Sequence, residues 1–445
     1  MPADGGTGSF SNKQISLNGV NRTPETGGQR AVLVAVALPQ ASGWTVEDRL
    51  AELRELALTA GAQVVGQFTQ RRSEIDPATY IGKGKAAELA EYCRHWDADL
   101  VIFHDDLTPA QMRNLEKILD LPVIDRTQLI LDIFAQRAQT REGKLQVELA
   151  QLTYNLPRLT GRGQMLSRLG GGIGTRGPGE TKLETDRRRI RTRIGDLRRE
   201  LARVARHRTV MRKQRQTREV PVVALVGYTN AGKSTLFRRL TGSQVLVEDK
   251  LFATLDPLTR RVTLPGGGPT VLVTDTVGFI HDLPHHLVAA FRATLEEVVQ
   301  ADVLIHVLDV SHPKAGEMAA AVNTVLYELG AAGKPTITAL NKVDRLEGEV
   351  PAGLAASLPS PVPISALHGD GVEELLETLA RVLAEGRRRV AVTVPYSDLD
   401  LLTRAHREGQ VLVEDYGPDG VYVEAQVSRA LARKMEQAAT AAAEA

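Results

Sequence analysis

The chain has 445 residues, 42% of them hydrophobic, which predicts two to four domains with buried cores. No apolar run approaches the roughly 20 residues of a membrane-spanning helix, and the N-terminus shows no secretion signal, so we expect neither membrane insertion nor export. The single cysteine, Cys93, excludes an intramolecular disulfide and fits a reducing cytoplasm. The net charge of +1 conceals one basic segment, residues 182–219, with fifteen Lys or Arg and five Asp or Glu.

The first part of the chain predicts a tail followed by an α/β domain. Residues 1–29 are rich in Gly, Ser, Thr and Asn, which is typical of disorder. Residues 30–127 alternate apolar runs with amphipathic stretches, a pattern that favours a mostly parallel sheet. The predicted strands are Ala31–Leu38, Gln63–Phe68, Asp99–His104 and Pro122–Asp125. The predicted helices are Val46–Thr59, Lys85–His95 and Pro109–Leu119.

Residues 128–219 predict an antiparallel helical hairpin, because two apolar seams of similar length flank a short loop. The first seam, which Pro157 ends, comprises Phe134, Ala138, Leu145, Leu149, Leu152 and Leu156. The second comprises Leu183, Ile190, Ile194, Leu197, Leu201, Val204 and Met211. The basic charge of the second helix favours contact with a polyanion; the alternative is a pair of core helices with a solvated charged face.

The loop between the seams, residues 158–180, combines glycine with arginine. Eight of its residues are glycine, and Glu180 is its one acidic residue. Four arginines lie among the glycines: Arg158, Arg162, Arg168 and Arg176. Glycine lets a backbone approach a ligand closely, and arginine pairs with phosphates or stacks on bases, so we predict RNA contacts here. A flexible linker is the alternative interpretation.

Residues 220–388 carry the strongest motif, a phosphate-binding loop between an apolar strand, Pro221–Val226, and a helical pattern. The loop comprises Gly227, Tyr228, Thr229, Asn230, Ala231, Gly232, Lys233, Ser234 and Thr235. Its glycines let backbone amides surround phosphates, and Lys233 supplies positive charge to the β and γ phosphates. The Ser234 hydroxyl is a candidate ligand of Mg²⁺.

Three further motifs follow at predicted strand ends and identify the nucleotide as GTP. The first is Asp275, Thr276, Val277 and Gly278, in which Asp275 would hold Mg²⁺ through water and Gly278 would sense the γ-phosphate. The second is Asn341, Lys342, Val343 and Asp344. The Asp344 carboxylate can accept two hydrogen bonds from guanine, whereas adenine reverses that donor pattern. The third is Ser365, Ala366 and Leu367, which would lie behind the guanine.

A switch segment lies between the phosphate loop and Asp275, and it comprises Phe252, Ala253, Thr254, Leu255 and Asp256. Thr254 is the candidate second Mg²⁺ ligand, which would order the segment only when the γ-phosphate is present; Thr259 is the alternative. Many GTPases place a glutamine after the Gly278 equivalent to orient the attacking water. Here the residue is Phe279, so the catalytic group is unknown and we expect slow intrinsic hydrolysis.

Residues 389–445 predict a small α+β domain. The predicted strands are Val390–Pro395, Val411–Glu414 and Val421–Ala425, with a tight turn at Gly417–Gly420. The fold class is therefore α/β: a P-loop GTPase domain with an N-terminal α/β domain, a helical hairpin and this C-terminal domain.

Over residues 30–430 the motifs together resemble the HflX family of ribosome-associated GTPases. The resemblance lies in Tyr80–Lys85, Gly170–Glu184, the phosphate loop, Phe252–Asp256 and the Asp275–Phe279 segment. It implies binding of GTP, GDP and Mg²⁺, and of the large (50S) ribosomal subunit and its rRNA, but not of DNA. It further implies splitting or rescue of stalled or stressed ribosomes, with the hairpin tip directed toward the peptidyl transferase region. Members are cytoplasmic, at most peripheral on membranes, and we expect a monomer off the ribosome.

Two alternatives to a ribosome-stimulated GTP hydrolase stay open. In the first, the protein is an rRNA-binding assembly factor whose binding GTP merely gates. In the second, the N-terminal domain drives RNA remodelling with ATP, a reaction whose support in the sequence is Tyr80–Lys85. That segment contains the Gly and Lys of a phosphate loop but lacks the rest of a nucleotide-binding fingerprint.

Overall fold

The computed structural model describes residues 28–39, 44–160, 178–216, 220–242, 251–252, 254–266, 268–281, 295–385 and 387–444. Its first layer is a parallel sheet of order β2-β1-β3-β4. The strands are Arg30–Ala37 (β1), Gln63–Arg71 (β2), Leu100–Phe103 (β3) and Val123–Asp125 (β4). Every side chain from Ala31 to Val36 is buried, because helices cover both faces of the sheet. The predicted parallel α/β domain is confirmed.

Three of the helices around this sheet begin where the sequence predicts or two residues earlier. They are Val46–Thr59 (α1), Lys83–His95 (α2) and Pro109–Leu119 (α3). Thr45 and Thr108 cap α1 and α3 with reciprocal capping boxes, in which the residue three positions on returns a hydrogen bond. Because α2 begins at Lys83, part of the predicted Tyr80–Lys85 loop is helical.

The first predicted hairpin helix is wrong as a single element, because the chain forms two helices there. Arg126–Arg137 (α4) packs on α1 and β4, so it belongs with the N-terminal sheet. The chain then turns, and Thr140 caps a new helix, Arg141–Asn155 (α5), by accepting a hydrogen bond from Gly143 N. Phe134 therefore packs in the N-terminal core rather than in a hairpin seam.

The hairpin pairs α5 with a 39-residue helix, Pro178–Gln216 (α6), about 58 Å long at 1.5 Å per residue. Arg193 forms a two-pronged ion pair with Glu148 at 2.7 and 2.8 Å, while Arg141 approaches Glu200 at 3.6 Å. This reversed order of partners shows that the two helices are antiparallel, as predicted. The loop beyond Thr160, with Arg162, Arg168 and Arg176, lies outside the described residues.

The next domain has a six-stranded sheet of order β10-β9-β8-β5-β7-β6, parallel except for the β6–β7 pair. The strands are Val222–Val226 (β5), Leu258–Thr263 (β6), Thr270–Asp275 (β7), Val303–Asp309 (β8), Thr336–Asn341 (β9) and Pro361–Pro363 (β10). The helices are Lys233–Thr241 (α7), Ala315–Glu328 (α8), Ala352–Ala356 (α9) and Val372–Glu385 (α10). The motif-bearing loops all leave carboxyl ends of its parallel strands, the edge at which open α/β sheets bind ligands.

The C-terminal domain is an antiparallel sheet of order β11-β13-β12, from Arg387–Val394 (β11), Gln410–Gly417 (β12) and Gly420–Ser428 (β13). The helices Leu399–Glu408 (α11) and Arg429–Glu444 (α12) pack against it. Arg387 already pairs with β13, so the domain begins two residues before the predicted residue 389. Among the described residues, no helix is long and apolar enough to cross a membrane.

The N-terminal and nucleotide domains share one core and a buried polar network. The core includes Trp44 and Leu50 on one side and Phe252 on the other. Within it, the Tyr228 hydroxyl donates to the Glu52 carboxylate and accepts from His281 N at 2.6 Å. Arg126 donates to Glu52 at 2.5 Å and to the His281 carbonyl. The network therefore ties the phosphate loop to α1 and α4.

Replacing one member of this network should destabilise the protein, because it leaves a buried charge without one of its partners. The Glu52 and Arg126 side chains are 8% and 5% exposed. We expect Glu52→Ala to lower the free energy of unfolding by about 3 kcal/mol. Glu88→Ala is the matched control, because Glu88 forms an exposed ion pair with Lys85 and should cost less than about 1 kcal/mol. Equal losses in thermal and denaturant unfolding would contradict the prediction.

Candidate nucleotide-binding site

The phosphate loop joins β5 to α7, and its shape depends on glycine at two positions. Gly227 has φ +151°, and a Cβ there would overlap the Val307 carbonyl of β8. Gly232 has φ +97°, and a Cβ there would overlap the Asn341 side chain. Side chains are therefore excluded at both ends of the loop, and the loop lies directly on its neighbouring strands.

Lys233, the first residue of α7, is buried beneath the loop. Its Nζ donates to the carbonyls of Gly227 at 3.0 Å and Tyr228 at 2.7 Å. A Cβ added to Gly278 would lie 2.9 Å from the same nitrogen, so the second motif's glycine adjoins the lysine. Burial lowers the pKa of Lys233 to about 8, since little solvent stabilises its charge. The lysine and Gly278 thus converge on one point, where a terminal phosphate would lie.

Three residues whose side-chain oxygens are predicted to hold Mg²⁺ lie together beside Lys233. Ser234 Oγ lies 2.9 Å from Thr254 Oγ1, and both hydroxyls donate to Asp275 Oδ2 at 2.8 Å. Thr259, the alternative to Thr254, instead hydrogen-bonds Thr274 on the neighbouring strand at 2.9 Å. Geometry therefore favours Thr254 as the switch threonine.

This cluster fits a Mg²⁺ ion. Asp275 is fully buried, which raises the pKa of its carboxyl, and its Oδ1 has no hydrogen-bond partner among the described residues. Hydroxyl and carboxylate oxygens are the ligands that Mg²⁺ prefers, and a cation would stabilise the buried carboxylate. Ser234, Thr254 and Asp275 are therefore the residues that would hold the ion.

The two guanine motifs are hydrogen-bonded to the phosphate loop and to each other. Asn341 donates to the Ala231 carbonyl at 2.7 Å and accepts from Ala366 N at 2.9 Å. Asp344 accepts a 2.6 Å hydrogen bond from Ser365, which holds the pKa of the Asp344 carboxyl below its usual value. The aspartate is therefore ionised and oriented as an acceptor.

An open cleft of about 320 Å³ connects the motifs. The predicted residues that line it are Thr229, Asn230, Gly232, Lys233, Ser234, Thr235, Phe252, Thr254, Thr276, Gly278, Asn341, Lys342, Asp344, Ala366 and Leu367. Arg238 and Arg345 also line it, and the sequence motifs did not single them out. Asp309, likewise missed, holds Lys342 through a 2.7 Å ion pair. Its signal was its position at the end of the buried strand β8.

Several predicted binding residues support the cleft rather than line it. Leu255 and Val277 are core residues, and Tyr228 lies in the polar network below the loop. The Asp256 carboxylate is directed toward α5 instead of the nucleotide. Ala253 lies outside the described residues.

The structure agrees with the interpretation that Phe279 cannot orient water. Its side chain is 1% exposed and packs with Leu295 and Val298. His281, whose polarity favours a surface position, is instead buried, with its ring 4.6 Å from that of Trp44. The local sequence around His281 does not indicate this aromatic partner on another domain.

Two predicted ligand-binding features have intramolecular partners. Arg158 donates to the carbonyls of Tyr154 and Leu107 and to Asp125, and its side chain is 17% exposed, so we assign it to packing instead of rRNA. At the Tyr80–Lys85 loop, the Arg72 guanidinium donates to the Ile81 carbonyl and fills the space beside Gly82. Lys85 pairs with Glu88. These partners weaken the case for an ATP site there.

The cleft thus combines a buried strand, a glycine-dependent phosphate loop, a cluster of hydroxyl and carboxylate oxygens that fits Mg²⁺, and the carboxylate predicted to select guanine. These features define a P-loop GTPase. Family profiles agree along the chain. Profiles described as GTP-binding GTPase N-terminal and GTP-binding GTPase Middle Region match residues 47–135 and 137–215, and one described as 50S ribosome-binding GTPase matches residues 222–342.

The chain belongs to the HflX family of GTPases. The GTPase HflX of Caldanaerobacter subterraneus is 50% identical over 90% of this chain and 91% of its own length. That of Escherichia coli is 45% identical over 88% of this chain and 92% of its own length. A GTP-binding protein from Sulfolobus solfataricus, solved with GDP, is 25% identical over 80% of this chain and 99% of its own, with a TM-score of 0.43. The assignment rests on the sequence relatives.

Replacing Asp344 should change the base specificity. In Asp344→Asn the amide nitrogen would face the guanine N–H groups, leaving donors unpaired, so we expect GTP affinity to fall at least about 100-fold. Xanthosine triphosphate has a carbonyl where guanine has its amino group, so its affinity should rise. Asp370→Asn is the control, because Asp370 is exposed in the loop after β10 that also carries Ser365. Unchanged GTP affinity in fluorescent-nucleotide titrations of Asp344→Asn would refute the assignment.

Nucleotide affinity should depend on pH through Lys233. Its pKa is depressed to about 8, so the nucleotide-free protein loses this charge as the pH rises through 8. Phosphate binding requires the charged form, and we expect GTP affinity to fall above pH 8, approaching about tenfold per pH unit. Lys233→Arg stays charged and should show a flat profile, whatever its absolute affinity. A wild-type profile as flat as that of the variant from pH 7 to 9 would contradict the prediction.

Proposed function

We propose that this GTPase binds the large (50S) ribosomal subunit, hydrolyses GTP there, and thereby splits or rescues stalled or stressed ribosomes. The description of the profile matched by residues 222–342 supports the partner, and the family assignment supports GTP hydrolysis. We place the protein in the cytoplasm, where ribosomes are, as a monomer when unbound. The proposal excludes DNA as a partner.

The observation that carries the proposal is the helical arm α6. It is about 58 Å long by its helical rise and rich in arginine along its exposed surface. Arg188, Arg198 and Arg203 are exposed there, whereas Ile194 and Leu197 are buried on the face toward α5. One apolar face packs the hairpin while the other presents positive charge, which suits an rRNA surface.

The nucleotide site explains why a partner is needed. Ser234, Thr254 and Asp275 would hold Mg²⁺, which when bound neutralises charge on the β and γ phosphates. Lys233 and the Gly278 amide would stabilise the transferred phosphoryl group. Because Phe279 is buried at the usual glutamine position, the group that orients water would come from the large subunit or from a rearrangement it induces.

Charge reversal on α6 should weaken binding to the large subunit without altering GTP binding. We expect Arg188→Glu, Arg198→Glu and Arg203→Glu together to lower affinity and to reduce the salt dependence of binding by about one unit of slope for each lost phosphate contact. Sedimentation with purified 50S subunits at several salt concentrations measures both quantities. The control carries three Glu→Gln substitutions at exposed positions of another helix, Glu373, Glu374 and Glu377 of α10. Equal binding by both triple variants would oppose the proposal.

Single-turnover GTP hydrolysis tests the enzymatic part. We expect the rate to rise by a factor of about 10³ or more on adding 50S subunits, as when a missing catalytic group is supplied in trans. Density-gradient profiles of 70S ribosomes should then show free subunits with GTP. If a non-hydrolysable analogue splits ribosomes equally well, GTP binding gates the activity and hydrolysis serves release; if the rate does not change, stimulation is refuted.

A further inference from the structure

The switch segment is held by the N-terminal domain and the hairpin, not by the nucleotide domain alone. Leu251 N donates to the Thr59 hydroxyl of α1 at 3.2 Å. The Phe252 ring stacks edge-on against Phe134 of α4, with centroids 4.7 Å apart. Leu251, Phe252 and Leu255 are all buried in the core shared with these helices. The segment that delivers Thr254 to the magnesium cluster is therefore packed on another domain.

Asp256 makes three hydrogen bonds across this interface. Its Oδ2 accepts from Gln139 N at 2.9 Å and Thr140 N at 2.8 Å, and its Oδ1 accepts from the Thr140 hydroxyl at 2.5 Å. Thr140 is the N-cap of α5, so the carboxylate satisfies amides immediately before the hairpin helix. A negative charge at a helix N-terminus is also favoured by the helix dipole.

The contact between the Asp256 carboxylate and α5 extends into the first turn of that helix. A Cβ added at Gly143 would overlap Asp256 Oδ1 and lie 3.3 Å from its Cγ. Glycine at this position gives the carboxylate its space. The absence of a side chain at Gly143 of α5 is therefore matched to the Asp256 carboxylate of the switch segment.

Thr254 and Asp256 are two residues apart, so their Cα atoms are separated by at most about 7 Å of extended chain. Thr254 contacts Ser234 and Asp275, while Asp256 contacts the start of α5. A displacement of either residue is thus transmitted to the other through a short, doubly anchored segment.

We propose that Asp256 is a positioning residue of the GTPase site: by binding Gln139 and Thr140 ahead of α5 it holds Thr254 beside Ser234 and Asp275, and it couples the nucleotide state to the hairpin. The proposal rests on the GTPase site described above but not on the ribosomal partner. By reciprocity of coupling, γ-phosphate binding at Thr254 also strengthens the hydrogen bonds of Asp256 to Gln139 and Thr140. The arm that carries the basic surface then responds to GTP through its partner helix.

The test compares affinity for guanosine 5′-(β,γ-imido)triphosphate with affinity for GDP, at fixed Mg²⁺, by fluorescent-nucleotide competition. Asp256→Ala should lower the affinity for the triphosphate about tenfold and that for GDP no more than about twofold. Asp256→Asn can still accept from both amides and should largely restore the triphosphate affinity. Gly143→Ala leaves Asp256 in the chain but forces its carboxylate away, so it should reproduce Asp256→Ala.

Glu148→Ala provides the matched control, because it breaks the exposed ion pair between α5 and Arg193 without touching the switch segment. Its nucleotide affinities should equal those of the wild type. In wild-type protein, the triphosphate analogue should slow hydrogen exchange at Gln139 and Thr140 more than GDP does, and Asp256→Ala should abolish the difference. Thermal unfolding of each variant without nucleotide reports whether it is folded.

The outcomes separate this inference from the proposed function. If wild-type protein binds neither guanine nucleotide, the proposed GTPase site itself fails. If the wild type binds both, the inference is overturned by equal losses of both affinities in Asp256→Ala, by unchanged affinities, or by exchange at Gln139 and Thr140 that is independent of the nucleotide. If one of the variants Asp256→Ala and Gly143→Ala unfolds, the other variant and the wild-type exchange measurement decide the inference.

Discussion

The buried carboxylate of Asp275 is the point on which the nucleotide site depends. One oxygen receives hydroxyls from the phosphate-loop helix and from the switch segment, and the other has no partner among the described residues. Burying an ionised carboxylate is costly unless it is paired, and a cation bound beside Lys233 would supply that pairing. The end of β7, the phosphate-loop helix and the switch segment are distant in sequence, and they meet at Asp275.

The N-terminal domain is part of this site's construction, although none of its described residues lines the cleft. Glu52 and Arg126 hold the phosphate-loop tyrosine and the segment after Gly278 from below, while Thr59 and Phe134 hold the switch segment from the side. The phosphate loop and switch segment therefore share one core with α1 and α4. A nucleotide-dependent change in either has to involve this interface, because close-packed cores do not deform gradually.

Local chemistry explains where the sequence predicted structure well and where it did not. Helices α1 and α3 match their predicted bounds because Thr45 and Thr108 are N-caps with a matching third residue, a signal contained in four positions. The break between α4 and α5 was missed because apolar residues continue at helical spacing across Ala138, Gln139 and Thr140. The first helix ends there in part because the backbone amides of Gln139 and Thr140 donate to Asp256, which lies 116 residues beyond Thr140.

The sequence by itself determined the class of site, because phosphate binding, magnesium binding and guanine recognition each need fixed residue types at strand ends. Lys233, Asp275 and Asp344 could be assigned from spacing alone. The tertiary structure alone decided which polar residues face the nucleotide and which face the protein. Arg158, Asp256 and His281 all look like surface or ligand-binding residues in sequence, yet each has partners on another segment. Burial and pairing depend on contacts between distant residues, and local patterns carry no record of them.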